Sequence, residues 1–386
     1  MADPTLDCWN IADLAAMARR RLPRGVWEYL ERGVEDETGM ARNRAGFERL
    51  AFRPRVLRKV DAIDMRTTIL GQESALPFAI APTGAAGMMW FRGDLALAGA
   101  AGRADIPFCI SSASTMDVEE FAGLPGRRWF QLYMWQDRDL SHDVVRRAEA
   151  VGCDALFVTL DLPVPPNREY LWRNGFGMPF GLNRRNVPDI MLHPRWLAGV
   201  IGRYMLNGGL PQQANLPKAL KHSVGRGAKP GALFKQDDLD WDGVKRLRDI
   251  WPGKLVLKGV LYPEDARMAA GAGADGIVVS NHGARSLDHS IAAIDALPEI
   301  VAAVGGKLSV LLDSGVRRGS DVVKALALGA EGVLVGRATL YGLAAAGEAG
   351  VTRAIDLLRD ETCRTMAMLG LTSVSQIDEQ ALVRQG

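Results

Sequence analysis

Residues 273–288 read Gly-Ala-Asp-Gly-Ile-Val-Val-Ser-Asn-His-Gly-Ala-Arg-Ser-Leu-Asp, and this stretch carries the pattern that decides the fold. A glycine ends a helical stretch, an acidic turn follows, and a short apolar run has the composition of a strand buried on both faces. The same pattern recurs at residues 152–159 and 329–336. The chain therefore repeats one αβ unit.

Further apolar runs bring the number of predicted strands to eight, at residues 77–81, 107–111, 129–133, 254–258 and 308–312. Eight strands alternating with helices predict an α/β fold, a (β/α)8 TIM barrel with an N-terminal helical segment and a long insertion after strand 4. A doubly wound open sheet is the alternative, but it needs a glycine-rich phosphate loop after an early strand. The GxGxxG match at 271–276 precedes a strand, so it predicts no dinucleotide site.

The composition is that of an ordinary globular protein. The chain has 386 residues, 48% of them hydrophobic, and a net charge of +2, which gives no reason to expect a nucleic-acid partner. We expect one domain over residues 1–386. The four cysteines are scattered and form no metal-type cluster, which predicts no metal and fits a reducing compartment. No signal peptide or membrane span is evident, so we expect a cytoplasmic protein.

A basic insertion is predicted at residues 175–238. Between residues 181 and 236 it has nine basic residues and the single acid Asp189. Apolar residues recur at helical spacing on one face of this segment: Trp196, Leu197, Val200, Ile201 and Tyr204. Such a basic amphipathic element is suited to an anionic membrane surface, peripheral on the inner face of the cell membrane. A lid or subunit contact over the barrel mouth is the alternative.

Polar side chains follow every predicted strand. Because a barrel gathers the carboxyl ends of its strands on one face, these residues predict an active site there. The residues are Thr83, Ser111, Gln131, Tyr133, Thr159, Asp161, Lys258, His282, Arg285, Asp313, Arg317, Gly336 and Arg337.

The residue types indicate the chemistry of the site. His282 offers a base near neutral pH, Asp161 can orient that histidine, and Arg285 offers a planar fork for a carboxylate. Glycines and arginines after the last two strands, Asp313–Gly319 and Gly336–Arg337, match the phosphate site that barrels often build there. On the residues alone, a barrel isomerase or lyase acting on a phosphorylated substrate, or a non-enzymatic barrel, are alternatives.

The chain resembles the FMN-dependent (S)-2-hydroxy acid dehydrogenase and oxidase family almost from end to end. The matching segments are Val26-Trp-Glu-Tyr29, Pro82-Thr-Gly84, Gln131-Leu-Tyr133, Thr159-Leu-Asp161, Arg168-Glu169, Leu257-Lys-Gly259, Ser280 to Asp288 and Asp313 to Gly319. This resemblance implies FMN as cofactor, a small 2-hydroxy acid as substrate, and a homo-oligomer, a tetramer, as the assembly.

The resemblance also implies a role for individual residues. The implied catalytic and substrate-binding residues are His282, Asp161, Tyr133, Arg285, Arg168, Tyr29 and Lys258, the last beside the flavin. The implied FMN-binding residues are Thr83, Gly84, Ser111, Gln131, Thr159, Lys258, Ser280, Asp313, Gly315, Arg317, Gly336 and Arg337.

Two departures from the plant-type oxidases bear on the substrate. This chain has Gly84 where those oxidases have alanine, and Ala113 where they have tryptophan. Both enlarge the space near the flavin, and the chain looks most like the membrane-associated (S)-mandelate dehydrogenases. We therefore expect oxidation of a mandelate-like (S)-2-hydroxy acid to the 2-keto acid, with electrons passed from reduced FMN to a quinone or a similar acceptor. The alternatives are an L-lactate dehydrogenase and an oxidase that uses oxygen.

Overall fold

The computed structural model describes residues 5, 7–135, 137–177, 180–215 and 239–385. Eight parallel strands close into a barrel, in the order β10-β11-β4-β5-β6-β7-β8-β9. These strands are β4 Phe78–Ile80, β5 Phe108–Ser111, β6 Arg128–Leu132, β7 Ala155–Thr159, β8 Lys254–Val260, β9 Gly276–Val279, β10 Ser309–Leu312 and β11 Gly332–Val335. Each falls within or beside a predicted apolar run, so the (β/α)8 prediction is confirmed.

Helices surround the barrel and precede it. They are α1 Ile11–Arg21, α2 Arg24–Glu31, α3 Thr38–Glu48, α4 Gly93–Arg103, α5 Arg138–Ala150, α6 Glu169–Asn174, α7 Val187–Met191, α8 Pro194–Trp196, α9 Arg203–Leu206, α10 Trp241–Ile250, α11 Pro263–Gly271, α12 Ala293–Val304, α13 Gly319–Ala327, α14 Arg337–Ala346 and α15 Glu348–Leu369. Helices α1–α3 form the predicted N-terminal helical segment. A short antiparallel pair, β1 Leu50–Phe52 and β12 Leu382–Arg384, joins the two terminal regions.

The barrel interior is packed with side chains, so it is a core and not a channel. Trp129 of β6 stacks on Phe157 of β7 with ring centroids 4.9 Å apart. At the amino end of the strands the hairpin of β2 Thr67–Ile69 and β3 Gln72–Ser74 inserts Ile69 and Leu70 into this interior cluster. The carboxyl end of the barrel is thereby left as the face available for a site.

The predicted insertion lies between β7 and β8, and its described part contains α7–α9. A π-helical stretch, Leu197–Gly202, connects α8 to α9. The basic residues Lys218, Lys221, Arg226, Lys229 and Lys235 lie outside the described residues, so the prediction of a basic patch is tested only in part. Within the described ranges, no helix combines the length and the apolar character needed to cross a bilayer.

The apolar face of the insertion is not available to a membrane, which corrects the sequence-based expectation for that face. Trp196, Val200, Ile201 and Tyr204 are all buried. The indole Nε1 of Trp196 donates a hydrogen bond to the carbonyl of Met88 at 2.7 Å. The helical spacing was correct, but this face packs on the barrel because its side chains fill the space beside the loop after β4.

Candidate active site

A histidine, a carboxylate and a tyrosine meet at the carboxyl end of the barrel. His282 follows β9, Asp161 follows β7 and Tyr133 follows β6, so the barrel closes residues far apart in sequence onto one face. His282 Nδ1 lies 2.9 Å from Asp161 Oδ1. The Tyr133 hydroxyl lies 3.4 Å from His282 Nε2. This is the geometry of an oriented base with a neighbouring hydroxyl group.

The turn that presents His282 has unusual backbone geometry. His282 has φ +59°, in the left-handed region that side chains seldom adopt. Its N–H donates to the Ser280 hydroxyl at 3.0 Å, and the N–H of Gly283 donates to the Ser314 hydroxyl at 2.9 Å. These side-chain acceptors hold the strained turn, which is the kind of strain found at functional sites.

The protonation states of His282 and Asp161 suit His282 to act as a base. Burial lowers the pKa of His282, and the charge of Lys258 lowers it further, against the opposing effect of Asp161. Burial alone would raise the pKa of Asp161, but His282 and Lys258 outweigh it and the net pKa is lowered. At neutral pH a neutral imidazole therefore donates from Nδ1 to an ionised carboxylate. Nε2 is left to accept a proton.

Tyr133 remains a neutral hydroxyl at physiological pH. Burial raises its pKa to about 12, and the negative charge of Asp161 acts in the same direction. Its hydroxyl can therefore donate a hydrogen bond to an oxygen atom that is also within reach of His282.

Two arginines lie side by side near this pair. Arg285 Nη1 donates to the carbonyls of Tyr29 at 2.7 Å and Arg32 at 2.8 Å, and its guanidinium lies 5.0 Å from the Tyr29 ring centroid. Arg168 Nη2 donates to the carbonyl of Arg285 at 3.2 Å, while its buried Nε has no partner in the described structure. Backbone bonds thus orient both guanidinium groups and leave donors for an anion.

Burial and repulsion between the two guanidinium groups disfavour the positive charge of Arg168. Burial lowers the pKa of Arg168, and the charge of Arg285 lowers it further. Two like charges held together with an unsatisfied buried donor are stabilised by an anionic ligand. A carboxylate fits because its two oxygens match the fork of a guanidinium.

A buried ammonium group lies on β8, between the strands that precede Asp161 and His282. Lys258 is 4% exposed, and its Nζ lies 2.9 Å from Asp313 Oδ2 and donates to the Ser280 hydroxyl at 2.9 Å. Burial alone would lower the pKa of Lys258, but Asp313 and Asp161 outweigh it and the pKa is raised. Lys258 is therefore a permanent cation at the strand ends.

A row of hydrogen-bonding side chains crosses the ends of three adjacent strands. The Ser111 hydroxyl donates to Gln131 Oε1 at 3.0 Å, and Gln131 Nε2 donates to the Thr159 hydroxyl at 2.9 Å. All three residues are buried. With Lys258, they form a polar surface suited to the edge of a flat heterocycle.

Small residues line the space beside Tyr29. A Cβ added to Gly84 would lie 3.1 Å from Ala113 Cβ and 3.5 Å from the Tyr29 hydroxyl. Gly336 lies close by, because a Cβ there would lie 4.0 Å from Thr83 Cγ2. The structure therefore places Gly84 and Ala113 together and next to a predicted substrate-binding tyrosine.

The predicted phosphate region lies at the N-terminus of α14. Its N-cap, Gly336, provides no capping side chain, so the first N–H groups of the helix are available to an anion. Arg317 donates to the Val316 carbonyl at 2.9 Å and lies 3.4 Å from the Tyr341 hydroxyl. Gly315 has φ +93°, which favours glycine at this turn.

Arg337 has a different environment from the one expected. Its guanidinium donates to the carbonyls of Leu30 at 3.1 Å, Gly283 at 2.8 Å and Arg32 at 3.2 Å. Burial lowers its pKa to about 9, with the charges of Arg285 and Arg317 acting in the same direction. Its side chain thus ties α2 to the turn that carries His282, while its backbone remains part of the predicted phosphate region.

Some residues of the site had no role assigned from the sequence. Ser314 accepts hydrogen bonds from the N–H groups of Asn281 at 3.2 Å and Gly283, and it donates to Asp313 Oδ1 at 2.8 Å. Asn281 exchanges side-chain hydrogen bonds with Asn43 of α3 at 2.9 and 2.7 Å. Ser314 and Asn281 both lie within the quoted motifs, so the signal was present, but their partners are distant in sequence.

Together, the fold and the site define a (β/α)8 barrel with an oriented imidazole, two neighbouring arginines suited to an anion and a polar surface suited to a phosphorylated heterocycle. The model of the family described as "FMN-dependent dehydrogenase" matches residues 18–384. The chain therefore belongs to the FMN-dependent dehydrogenase family. It is an oxidoreductase acting on the CH–OH group of 2-hydroxy acids, and FMN is its cofactor.

Named relatives cover nearly the whole chain. The (S)-mandelate dehydrogenase of Pseudomonas putida is 41% identical over 98% of this chain and 94% of its own length. The L-lactate dehydrogenase of Caulobacter vibrioides is 44% identical over 97% of this chain and 98% of its own. A crystal structure of monotopic membrane protein (S)-mandelate dehydrogenase superposes with a TM-score of 0.89 at 39% identity, covering 98% of this chain and 100% of that one.

The residues present fit FMN. A flat ring with carbonyl and imide groups requires donors, acceptors and a cation, and Ser111, Gln131, Thr159 and Lys258 supply them. A phosphate requires N–H groups and positive charge, and the uncapped start of α14 with Arg317 supplies them. The two donor sets lie at the same end of the barrel, one on β5–β8 and the other after β10 and β11, with β4 and β9 between them.

Proposed function

We propose that this protein oxidises an aromatic (S)-2-hydroxy acid of the mandelate type to its 2-keto acid and passes the electrons to a quinone. The observation that carries the proposal is the contact between Gly84 and Ala113 beside Tyr29. Neither residue has a side chain beyond Cβ, so we infer that the pair leaves more room beside Tyr29 for a phenyl group than larger side chains would.

The roles of the residues follow from their geometry. Arg285 and Arg168 bind the substrate carboxylate, with Tyr29 beside them, and this fixes the α-carbon and its hydroxyl. The hydroxyl then lies at Tyr133 and His282, whose Nε2 accepts a proton from the substrate. Asp161 stabilises the imidazolium that results.

FMN supplies an acceptor for the two electrons that leave the substrate. We propose that Thr83, Gly84, Ser111, Gln131, Thr159 and Ser280 hold its ring system, and that Asp313, Gly315, Arg317, Gly336 and Arg337 hold its ribityl phosphate. Lys258 provides positive charge beside the ring, where negative charge accumulates on reduction. The salt bridge to Asp313 keeps this ammonium in place.

The first prediction tests the choice of substrate. Wild-type protein should reduce its flavin faster with (S)-mandelate than with L-lactate or glycolate under anaerobic conditions. The double change Gly84→Ala with Ala113→Trp should lower kcat/KM for mandelate far more than for the two small acids, because an indole overlaps the phenyl group. Overpacking costs roughly 1–3 kcal/mol, which corresponds to about 5- to 150-fold in kcat/KM.

The second candidate is an L-lactate dehydrogenase, which the Caulobacter relative favours. Equal losses on mandelate, lactate and glycolate in the double variant would contradict the steric argument. L-lactate would then become the first choice of substrate, since its methyl group needs no enlarged pocket.

A peripheral membrane location is also proposed. The insertion exposes large apolar side chains next to arginines, although not those that the sequence indicated. Leu182, Met191, Leu192, Met205 and Leu206 are between 61% and 86% exposed. Arg184, Arg185, Arg195 and Arg203 lie in the same segment. Apolar side chains flanked by basic residues are suited to an anionic lipid surface.

The second prediction tests this surface. Wild-type protein should sediment with phosphatidylglycerol vesicles, and Met191→Glu with Leu192→Glu should weaken that binding at least about fivefold, because two exposed apolar side chains available for contact with lipid are lost and negative charge is added. The matched control is Val56→Glu with Leu57→Glu, at positions 82% and 102% exposed outside the insertion. Equal weakening by both pairs would argue against a specific contact through the insertion.

A further inference from the structure

A cavity lies apart from the residues assigned to the active site. It has a volume of about 560 Å³ and is walled by the loops after β4 and β5 and by residues 204–214 of the insertion. Phe91, Met116, Tyr204 and Leu210 contribute apolar surface, and Gln213 contributes an amide group. This volume falls in the range of small-molecule sites. We call this space the insertion cavity.

The insertion cavity is close to the active site in the fold. Thr115 on its wall lies two residues after Ala113, on the same loop after β5. A Cβ at Gly87 would collide with the Thr115 and Tyr204 hydroxyls, so the loop after β4 is in direct contact with this wall. The same loop carries Gly84. The two loops that border the substrate space therefore also border the insertion cavity.

The charged side chains around the insertion cavity are paired with one another. Arg92 lies 2.9 Å from Glu120, and Asp117 lies 3.3 Å from Arg147. Because these charges are neutralised within the protein, the wall favours a ligand without net charge. A second molecule of the 2-hydroxy acid substrate, which is an anion, fits this wall poorly.

The wall also has fixed aromatic surface. The Phe91 and Tyr204 rings pack edge to face with centroids 4.9 Å apart. The Tyr204 hydroxyl accepts the N–H of Arg92 at 3.1 Å and is hydrogen-bonded to Thr115, whose hydroxyl donates to the buried Asp94 at 2.8 Å. These bonds hold the ring in place. A flat neutral ring with carbonyl oxygens matches the aromatic surface and the amide of Gln213.

We propose that the insertion cavity binds the quinone ring of the electron acceptor, an inference that rests on the proposed function. The quinone gains the two electrons that the 2-hydroxy acid loses, and its two carbonyl oxygens become hydroxyls by taking up two protons. The two protons that the acid loses are released to water. The electrons reach it through FMN, and the protons come from water at the open side of the cavity. Met205 and Leu206, beside Tyr204 in the chain, are exposed and offer apolar contact to an isoprenoid tail.

The test uses oxidised holoenzyme and a ubiquinone analogue with a single isoprene unit, whose binding is measured by equilibrium dialysis without hydroxy acid. Leu210→Trp fills the cavity and Gln213→Leu removes its amide donor, and each should raise the Kd for the quinone at least about tenfold. The matched control is Leu57→Trp, at an exposed position outside the insertion that does not line the cavity. Its Kd should equal that of wild-type protein.

Anaerobic flavin reduction by the hydroxy acid separates the two proposals. All three variants should reduce their flavin at close to the wild-type rate, while Leu210→Trp and Gln213→Leu should be slow in reoxidation by the quinone. The cavity assignment would be overturned if both cavity variants bound the quinone as wild-type protein does, or if wild-type protein did not bind it. Normal flavin reduction in the same experiment would leave the substrate proposal standing. Absence of flavin reduction by any hydroxy acid would instead overturn the proposed function itself.

Discussion

Replacement of His282 by alanine should leave FMN bound but slow flavin reduction by a 2-hydroxy acid about 100- to 10,000-fold, the usual contribution of a positioned general base. The reason is the geometry at Nε2, which faces the Tyr133 hydroxyl, while Nδ1 is held by Asp161. No other described imidazole is paired with that carboxylate. Stopped-flow measurement of flavin bleaching under anaerobic conditions gives the rate directly.

The control for this variant is His289→Ala. His289 lies seven residues further along the same loop, and its side chain is 64% exposed and lies 3.2 Å from the Thr38 hydroxyl. Its loss should leave the rate of flavin reduction unchanged. A His282→Ala protein that bleaches at close to the wild-type rate, with a full complement of FMN, would remove His282 from the proton-transfer step.

Substitution of Arg285 by lysine should lower kcat/KM by about 10- to 1,000-fold, although the charge is conserved. An ammonium cannot both keep the bonds to the Tyr29 and Arg32 carbonyls and offer a two-pronged contact to a carboxylate. Hydrogen bonds to charged groups contribute roughly 1.5–3 kcal/mol each, and one or two of them are lost. Steady-state kinetics with mandelate and lactate should show the loss for both acids, because both carry the carboxylate.

Arg42→Lys is the matched control for this arginine. Arg42 Nη1 also donates to a backbone carbonyl, that of Ser290 at 2.9 Å, but it is not among the paired arginines. If Arg285→Lys and Arg42→Lys lower kcat/KM equally, the effect belongs to loop stability and not to the carboxylate site. Thermal unfolding of both variants, with their FMN content, separates a folding defect from a binding defect.

The strands were predictable because the signal for them is local. A run such as Gly276–Val279 is buried on both faces, so every residue in it is apolar, and the glycine before it ends a helix. The barrel then follows from repetition of the unit. The position of His282 at a strand end was predictable for the same reason, since parallel strands of a barrel all deliver their carboxyl ends to one face.

Other features depended on contacts between segments that are distant in sequence. The periodicity of the insertion showed that Trp196 and Tyr204 share a face. It did not show that this face packs on the barrel, or that Met191 and Leu192 are exposed instead. The sequence placed Arg337 after a strand. It did not show that Arg337 is hydrogen-bonded to the carbonyls of Leu30 and Arg32, at the end of α2.

The sequence by itself determined the repeating αβ unit, the barrel and the set of side chains at its mouth, because helix ends, buried strands and catalytic residue types are properties of short segments. Only the tertiary structure decided the pairing of His282 with Asp161, the orientation of the two arginines and the existence of the insertion cavity. Each of these depends on distances between residues far apart in the chain, and those distances are set by how the whole barrel and its insertion pack.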